Sequence, residues 1–179
     1  AFIKNLKNYD VIISTGGISM GDADFVGEAF LQNGLEVAFH GVNIKPGRPI
    51  MMGKMQNTVV ICLPGNPLTA MVNIYLFVIP MLKKLQSETS INHGFIKAVN
   101  KKEFKTKSGR VNLVLGRVQN GEFFVTRDNK YGSGMITVLY ESNAILVTNE
   151  QTSNINQNQD VKLLEFNGKF FEENIDILN

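Results

Sequence analysis

The sequence predicts an α/β domain followed by a small β-rich domain. In the first half, short β-branched runs alternate with helical segments, a pattern typical of a mainly parallel sheet with helices on its faces. In the second half, apolar and polar residues alternate over short runs separated by turn signals, which favours an antiparallel, barrel-like domain. All five prolines lie between Pro46 and Pro80, and a polar stretch follows at residues 86–94. We therefore predict a domain boundary there, with one domain over residues 1–87 and the other over residues 88–179.

Apolar β-branched runs and turn residues predict the elements of the first half. Strands are expected at residues 11–14, 35–39, 50–52 and 58–63. A helix over residues 22–33 should end at Gly34, a favoured residue just beyond a helix.

A second helix begins at Asn66-Pro67 and extends to about residue 85, with Asn66 as the N-cap and Pro67 in the first turn. Its apolar stretch, residues 70–82, is interrupted by Asn73 and Pro80, and Pro80 predicts a kink. This stretch is too short to span a bilayer, and the N-terminus lacks the layout of a signal peptide. A soluble, cytoplasmic protein without a membrane partner is expected.

The spacing of short strands and turn signals in the second half predicts a small β-barrel. Strands are predicted at residues 95–105, 110–118, 122–126, 144–148 and 161–166, with a short helix at 135–140. Asn120-Gly121 and Asn167-Gly168 are hairpin turn signals.

Charge and cysteine content exclude several classes of function. The net charge is +2, and the cations form no basic stripe with interleaved aromatics, so nucleic acid is not an expected partner. The single cysteine, Cys62, excludes an internal disulfide and lies in an apolar run, where it is expected to be a small buried side chain.

A glycine-rich loop, TGGISMGD at residues 15–22, follows the first strand and opens the first helix. Glycines let the backbone approach a ligand, and free N–H groups at a helix start favour an anion. Gly16 and Gly21 have the separation of a phosphate-binding P-loop, but the next two residues are Asp and Ala where Lys and Ser or Thr are needed. Asp22 and Asp24 are therefore candidates to hold Mg²⁺ beside a phosphate. The alternative is that Asp22 only caps the helix and the glycines only form the turn.

Two further loops combine turn residues with groups that suit an oxyanion. In KPGRP, residues 45–49, two prolines stiffen a loop that carries Lys45 and Arg48, which lowers the entropic cost of binding an anion. LPGNPLT, residues 63–69, again follows a buried strand and opens a helix. A structural turn with solvated charges and a simple capped turn are the respective alternatives.

The glycine loop and the Pro64 loop are both predicted at the same edge of the sheet. In open α/β sheets, ligands bind at the carboxyl edge of the strands, where the glycine loop and the Pro64 loop both begin. An acidic pair, a cationic loop and two helix starts at this edge suit a phosphate-bearing ligand with a metal ion.

These three loops, in this order and spacing, resemble the third domain of the MoeA/gephyrin E-domain family, whose α/β fold is MogA-like. Family members carry Ser-Gly-Gly-x-Ser-x-Gly-(Asp/Glu), Lys-Pro-Gly-Lys/Arg-Pro and Leu-Pro-Gly-Asn-Pro loops. Thr15 stands here in place of the usual first Ser. The second half is similar to the family's fourth domain, a small β-barrel.

The resemblance implies a transferase of molybdenum cofactor biosynthesis that inserts molybdate into adenylylated molybdopterin and releases AMP with the help of Mg²⁺. It also implies a homodimer, and possible partners are a molybdopterin adenylyltransferase and a molybdoenzyme. Two alternatives stay open: a molybdopterin adenylyltransferase-like enzyme, which would lack the β-domain, and a non-catalytic pterin-binding or scaffold fragment.

Site residues carry over by position in the matching motifs. Catalytic roles fall on Asp22, Asp24, Lys45 and Arg48, with Asp22 as the metal ligand. Ligand-binding roles fall on Gly16, Gly17, Ser19, Gly21, Pro49, Pro64, Gly65, Asn66 and Thr69, and in the barrel on Arg110 and Ser133. The family's first two domains and an early strand of its third domain have no counterpart in this chain. The chain taken alone is therefore expected to be inactive. A missing partner segment, a second copy or a crystal neighbour is expected to cover its open sheet edge.

Overall fold

The structure, a computed structural model, describes residues 8–18 and 25–166. Within that part the chain forms two compact units, one ending at Glu88 and the other beginning at Thr89. Each unit has its own apolar core.

The first unit contains a mixed sheet with helices on both faces. Its elements are β1 (Val11–Thr15), α1 (Phe25–Gln32), β2 (Glu36–His40), β3 (Ile44–Lys45), β4 (Met51–Met55), β5 (Thr58–Leu63) and α2 (Pro67–Asn73). The strand order is β1-β5-β4-β2. β1 and β5 are parallel, whereas β4 runs antiparallel to both of its neighbours. The sheet is therefore mixed rather than parallel throughout, because a two-residue turn at Gln56-Asn57 joins β4 to β5 and such a hairpin requires antiparallel strands.

Strand β5 separates two apolar layers because successive side chains of a strand point to opposite faces. Val60 and Cys62 pack in the cluster that contains Phe30 of α1. Ile61 and Leu63 pack in the cluster that contains Val78 of the long helical segment after β5. All four β5 side chains are fully buried, so this strand is the centre of the unit.

The helical segment after β5 contains a π-helical stretch. α2 is followed by π-helical residues Ile74–Val78 and then by α3 (Ile79–Leu85). The wider turn lies immediately before Pro80, which has no N–H to donate and whose ring clashes with the carbonyl one turn earlier. A π-helical stretch therefore lies immediately before Pro80, where the sequence predicted a kink.

This segment, Pro67–Leu85, is also the one described helix that is long and apolar enough to cross a membrane by length and composition. Leu68 and Val72 are nevertheless fully buried in the unit. Val78 packs in the same cluster as Ile61 and Leu63 of the sheet. The N-terminal part of the segment therefore packs in the core, whereas α3 (Ile79–Leu85) contains no fully buried residue.

The second unit is a closed barrel. Its elements are β6 (Phe95–Asn100), β7 (Phe104–Lys105), β8 (Val111–Gln119), β9 (Glu122–Val125), a 3₁₀ turn (Thr126–Asn129), α4 (Thr137–Tyr140), β10 (Ala144–Val147), β11 (Asn154–Ile155) and β12 (Asp160–Glu165). The barrel strands follow the order β10-β12-β6-β9-β8, and β10 also pairs with β8, which closes the barrel. β6 and β9 run parallel, and the other barrel pairs are antiparallel. The small pair β7–β11 was not predicted as such.

The predicted hairpin at Asn120-Gly121 joins β8 to β9. Both residues have positive φ, 52° and 77°, as a type I′ turn requires. The second predicted hairpin, Asn167-Gly168, lies outside the described residues.

The barrel core is centred on Phe123 of β9. Its ring is fully buried and lies 6.5 Å from the ring of Phe104, centroid to centroid. Gly116 of β8 leaves the space for this ring, since a Cβ there would lie 2.3 Å from Phe123 Cε2. The glycine is therefore required for packing rather than for backbone freedom.

Candidate functional site

The glycine loop and the Pro64 loop begin side by side at the carboxyl ends of β1 and β5. Thr15 is paired with Leu63, and the Gly16 N–H donates to the Leu63 carbonyl at 2.9 Å. A Cβ on Gly65 would lie 3.4 Å from the Gly16 Cα, so the two backbones approach closely. The structure therefore brings the first and third motifs together, as the parallel pairing of their strands dictates.

Gly17 packs against the start of α1. Its φ is 71°, and a Cβ there would lie 2.5 Å from Val26 Cγ2. Its carbonyl accepts a hydrogen bond from the Gly27 N–H at 3.4 Å. Any side chain at Gly17 would therefore push α1 away from the loop.

The acidic end of the glycine loop lies outside the described residues. Ser19, Gly21, Asp22 and Asp24 fall there, so their predicted roles stay predictions. Across residues 8–18 and 25–166, no cluster of three or more His, Cys, Asp or Glu side chains is suited to a metal ion.

The KPGRP loop is closed at its base and presents two cations at its surface. The Gly41 N–H donates to the Ile50 carbonyl at 2.7 Å, and the Val42 N–H donates to the Arg48 carbonyl at 3.0 Å. The Lys45 and Arg48 side chains are exposed. In the part of the chain that the structure describes, the ion pairs involve other cations. Both side chains therefore reach the surface of the unit.

A buried asparagine that the sequence analysis did not single out connects this loop to the third motif. Asn73 of α2 donates from Nδ2 to the carbonyl of Pro49 at 3.3 Å. The KPGRP loop is thereby attached to the helix that the LPGNP loop opens. In the sequence, Asn73 is a polar residue within an apolar helical stretch. It lies two turns beyond Asn66 and therefore on the same face of the helix.

The remaining predicted residues of the third motif differ in exposure. Pro64 is buried, Gly65 is exposed and Asn66 is half-buried. Asn66 occupies the N-cap position with extended backbone, but its side chain makes no capping hydrogen bond to the helix. Thr69 is only 4% exposed, so its side chain is shielded from solvent.

Arg110 and Ser133 belong to the barrel unit. Arg110 is half-buried and immediately precedes β8, and Ser133 is exposed in a loop that follows the 3₁₀ turn. This loop is anchored by Tyr131, whose hydroxyl accepts a hydrogen bond from the Leu115 N–H at 3.0 Å. Burial raises the pKa of Tyr131, which keeps the anchoring hydroxyl neutral.

The turn before this loop has a strained backbone. Arg127, Asp128 and Asn129 have φ of 49°, 53° and 60°, a left-handed conformation that non-glycine residues rarely adopt. Arg127 forms an ion pair with Glu141, and Asp128 forms one with Lys102. These hydrogen-bonded pairs lower the pKa values of both carboxyl groups and tie the turn to its surroundings. No sequence signal predicted this turn.

The thiol of Cys62 is expected to be inert in the folded protein. The side chain is fully buried in the centre of the sheet, and burial raises the pKa of the thiol. Reaction with a disulfide reagent such as DTNB should therefore be slow in native conditions and complete after unfolding. Fast stoichiometric labelling of folded protein would contradict this burial.

Comparisons with known proteins agree with this arrangement. Residues 1–84 match the family "Probable molybdopterin binding domain", and residues 97–166 match the "MoeA C-terminal region (domain IV)". A molybdopterin molybdenumtransferase of Haemophilus influenzae is 31% identical over 93% of this chain and 42% of that protein. Gephyrin of Dictyostelium discoideum is 38% identical over 49% of this chain and 14% of gephyrin. The MoeA structure from Pyrococcus horikosii has the same fold, with a TM-score of 0.75 at 22% identity over 93% of this chain and 40% of that one.

The first unit therefore corresponds to an α/β domain of the "Probable molybdopterin binding domain" family, and the second corresponds to a MoeA domain-IV barrel. The chain belongs to the MoeA/gephyrin family of molybdenum cofactor biosynthesis. It spans about two-fifths of the length of the Haemophilus relative, at 42%.

Proposed function

We propose that the protein containing this chain inserts molybdenum from molybdate into adenylylated molybdopterin and releases AMP. The observation that carries the proposal is the convergence of the three loops in one unit. The Gly16 N–H donates to the Leu63 carbonyl, which joins the glycine and LPGNP loops. Asn73 donates to the Pro49 carbonyl, which attaches the KPGRP loop to the helix that the LPGNP loop opens. The glycines let a ligand come close to the main chain, and the KPGRP loop adds two exposed cations. This combination suits a ligand that carries phosphates and an oxyanion.

The chain's own residues supply binding and charge. Lys45 and Arg48 hold oxyanions, with Arg48 offering a planar fork and Lys45 a point charge. The Gly16-Gly17 backbone lies against the phosphates, because no side chain there blocks the approach. Cations fixed on a stiff loop stabilise the charge that develops as the phosphoanhydride breaks under attack by water. We propose Arg110 and Ser133 as further ligand contacts from the barrel.

Asp22 and Asp24 are the groups that would hold Mg²⁺. The donor set fits, because Mg²⁺ in nucleotide sites is bound by one or two carboxylates together with phosphate oxygens. When bound, the ion neutralises phosphate charge and polarises the phosphoanhydride.

The rest of the protein completes the enzyme in this proposal. The chain spans 42% of the Haemophilus relative, and by itself it should be inactive. We propose that residues 1–87 are the C-terminal portion of the molybdopterin-binding domain, and that the full protein is a cytoplasmic homodimer. A molybdopterin adenylyltransferase and a molybdoenzyme are the proposed partners before and after it.

Two other functions are less well supported. A molybdopterin adenylyltransferase would need no barrel after the α/β unit, so the domain-IV match over residues 97–166 favours the molybdenumtransferase. A non-catalytic pterin-binding scaffold is favoured only by the similarity to gephyrin over half of the chain. Turnover by the full-length protein distinguishes the enzyme from the scaffold.

Replacing Asp22 with asparagine tests the magnesium assignment. The full-length Asp22→Asn variant should lose Mg²⁺ stimulation of AMP release, with a rate lower by about 10²-fold or more, because the carboxylate that holds the ion is lost. AMP release is measured in single turnover against Mg²⁺ concentration. Asp10→Asn is the matched control, since Asp10 is exposed in the same unit. Equal Mg²⁺ dependence in the variant and the wild type would contradict the assignment.

A further inference from the structure

Asn73 is a fully buried polar side chain between helix α2 and the KPGRP loop. Its exposed fraction is 0%. Burying an amide costs free energy unless hydrogen bonds replace those to water, so such a residue needs a structural or functional reason. Its Nδ2 donates to the carbonyl of Pro49 at 3.3 Å.

The other end of the amide lies against Gly47. In the part of the chain that the structure describes, Asn73 Oδ1 has no hydrogen-bond partner. A Cβ on Gly47 would lie 2.8 Å from that oxygen and 2.6 Å from Ile44 Cδ1. Gly47 is buried and has a φ of 123°, a conformation that L side chains rarely adopt. Asn73 therefore contacts the loop at the residue before Arg48 and at the residue after it.

These contacts fix the backbone around Arg48. The Arg48 carbonyl accepts from the Val42 N–H at 3.0 Å, and the next carbonyl, that of Pro49, accepts from Asn73. Pro49 contributes a fixed φ. The guanidinium is thus an exposed group on a backbone that is anchored on both sides.

We infer that Asn73 is a positioning residue, which holds the KPGRP loop so that Arg48 and Lys45 meet an oxyanion in a pre-set geometry. This inference rests on the proposed function, because it takes the loop as the oxyanion-binding element. Asn73 itself is buried and does not touch the ligand. A loop that is already ordered loses less conformational entropy when it binds, so loosening it weakens binding without removing either cation.

The test replaces Asn73 with aspartate in the full-length protein. Asn73→Asp keeps the shape of the side chain but removes the Nδ2 donor and places an oxygen against the Pro49 carbonyl. Val72→Ala is the matched control, because Val72 is also fully buried and precedes Asn73 in the helix. This substitution removes core packing but leaves the Asn73–Pro49 contact in place. Asn73→Ala gives a second variant in case the aspartate prevents folding.

One measurement tests whether Asn73 orders the KPGRP loop, and a second tests whether that order matters for anion binding. Amide hydrogen exchange of residues 42–50 without ligand should be at least about ten-fold faster in Asn73→Asp than in Val72→Ala once both are corrected for global stability. Binding of molybdate, measured by calorimetry, should weaken by about ten-fold in Asn73→Asp with the loop cations intact.

Faster loop exchange together with weaker molybdate binding supports the inference. Unchanged loop exchange overturns it, whether or not the protein is a molybdenumtransferase. Faster exchange with undiminished molybdate binding in an active enzyme also overturns it, because the loop would then not need to be held. If the wild-type protein neither binds molybdate nor releases AMP, the proposed function fails, and the exchange data alone decide whether Asn73 orders the loop.

Discussion

Replacing Arg48 with alanine in the full-length protein is expected to lower kcat/KM for molybdenum insertion by about 10²–10³-fold, the cost of removing one positioned charge donor from a site where negative charge develops. Arg48 is exposed and has no ion-pair partner in the described residues, so its removal leaves no buried group unsatisfied. Stability should therefore change little while activity falls. The measurement is steady-state insertion with varied molybdate, compared with thermal unfolding of the same variant.

Lys54→Ala is the control for the Arg48 variant. Lys54 is an exposed cation on β4 of the same unit but lies outside the three loops. Its loss should leave kcat/KM within about two-fold, since an isolated exposed charge interacts weakly through water. Equal losses in the two variants would mean that general surface charge, and not the KPGRP loop, attracts the substrate. No loss at Arg48 would remove that residue from the site.

Replacing Phe123 with alanine is expected to have the largest effect on stability. The Phe123 side chain is 0% exposed at the centre of the barrel core, and truncation of a buried phenylalanine costs about 3–5 kcal/mol. That loss is of the same order as the stability of a small domain, so the barrel should unfold at much lower denaturant concentration. Native-state amide exchange of β8 and β9 in the full-length protein measures the free energy of opening.

Phe124 provides the matched comparison for Phe123. It is the next residue on β9 and is 44% exposed, because alternate side chains of a strand face opposite sides. Phe124→Ala should cost less than about 1 kcal/mol, as is usual for an exposed position. Gly116→Ala should reproduce much of the Phe123 defect, since its Cβ would lie 2.3 Å from the same ring. Equal costs at Phe123 and Phe124 would contradict the described register of β9.

The positions of the helices and strands in the first unit were largely predictable, because residues within or next to each element determine where it begins and ends. Gly34 ends α1, Asn66-Pro67 opens α2, and the buried run of β5 lies where the apolar residues 58–63 predicted it. The parallel pairing of β1 with β5 also followed from the alternation of strands and helices. The antiparallel placement of β4 was missed because the hairpin residues Gln56-Asn57 are not a strong turn signal, although Gln56 adopts a φ of 56° there.

The candidate site was predictable as a set of motifs but not as a set of contacts. Glycine, proline and charged residues at fixed spacing identified the three loops. What joins them depends on tertiary packing: the Gly16–Leu63 hydrogen bond needs the strand register, and the Asn73–Pro49 hydrogen bond needs the helix to lie over the KPGRP loop. Asn73 was visible in the sequence only as a polar interruption of an apolar run. The left-handed turn at residues 127–129 had no signal, because its residues are not glycines and its ion-pair partners lie 14 and 26 residues away along the chain.

The most direct test of the central claim is a crystal structure of the full-length protein with adenylylated molybdopterin and molybdate. We expect ligand phosphate or molybdate oxygens to lie within hydrogen-bond distance of Arg48 or Lys45, with the Gly16-Gly17 backbone against the same ligand. A fully occupied ligand bound away from both cations and from the glycine loop would contradict the claim that these three loops form one site.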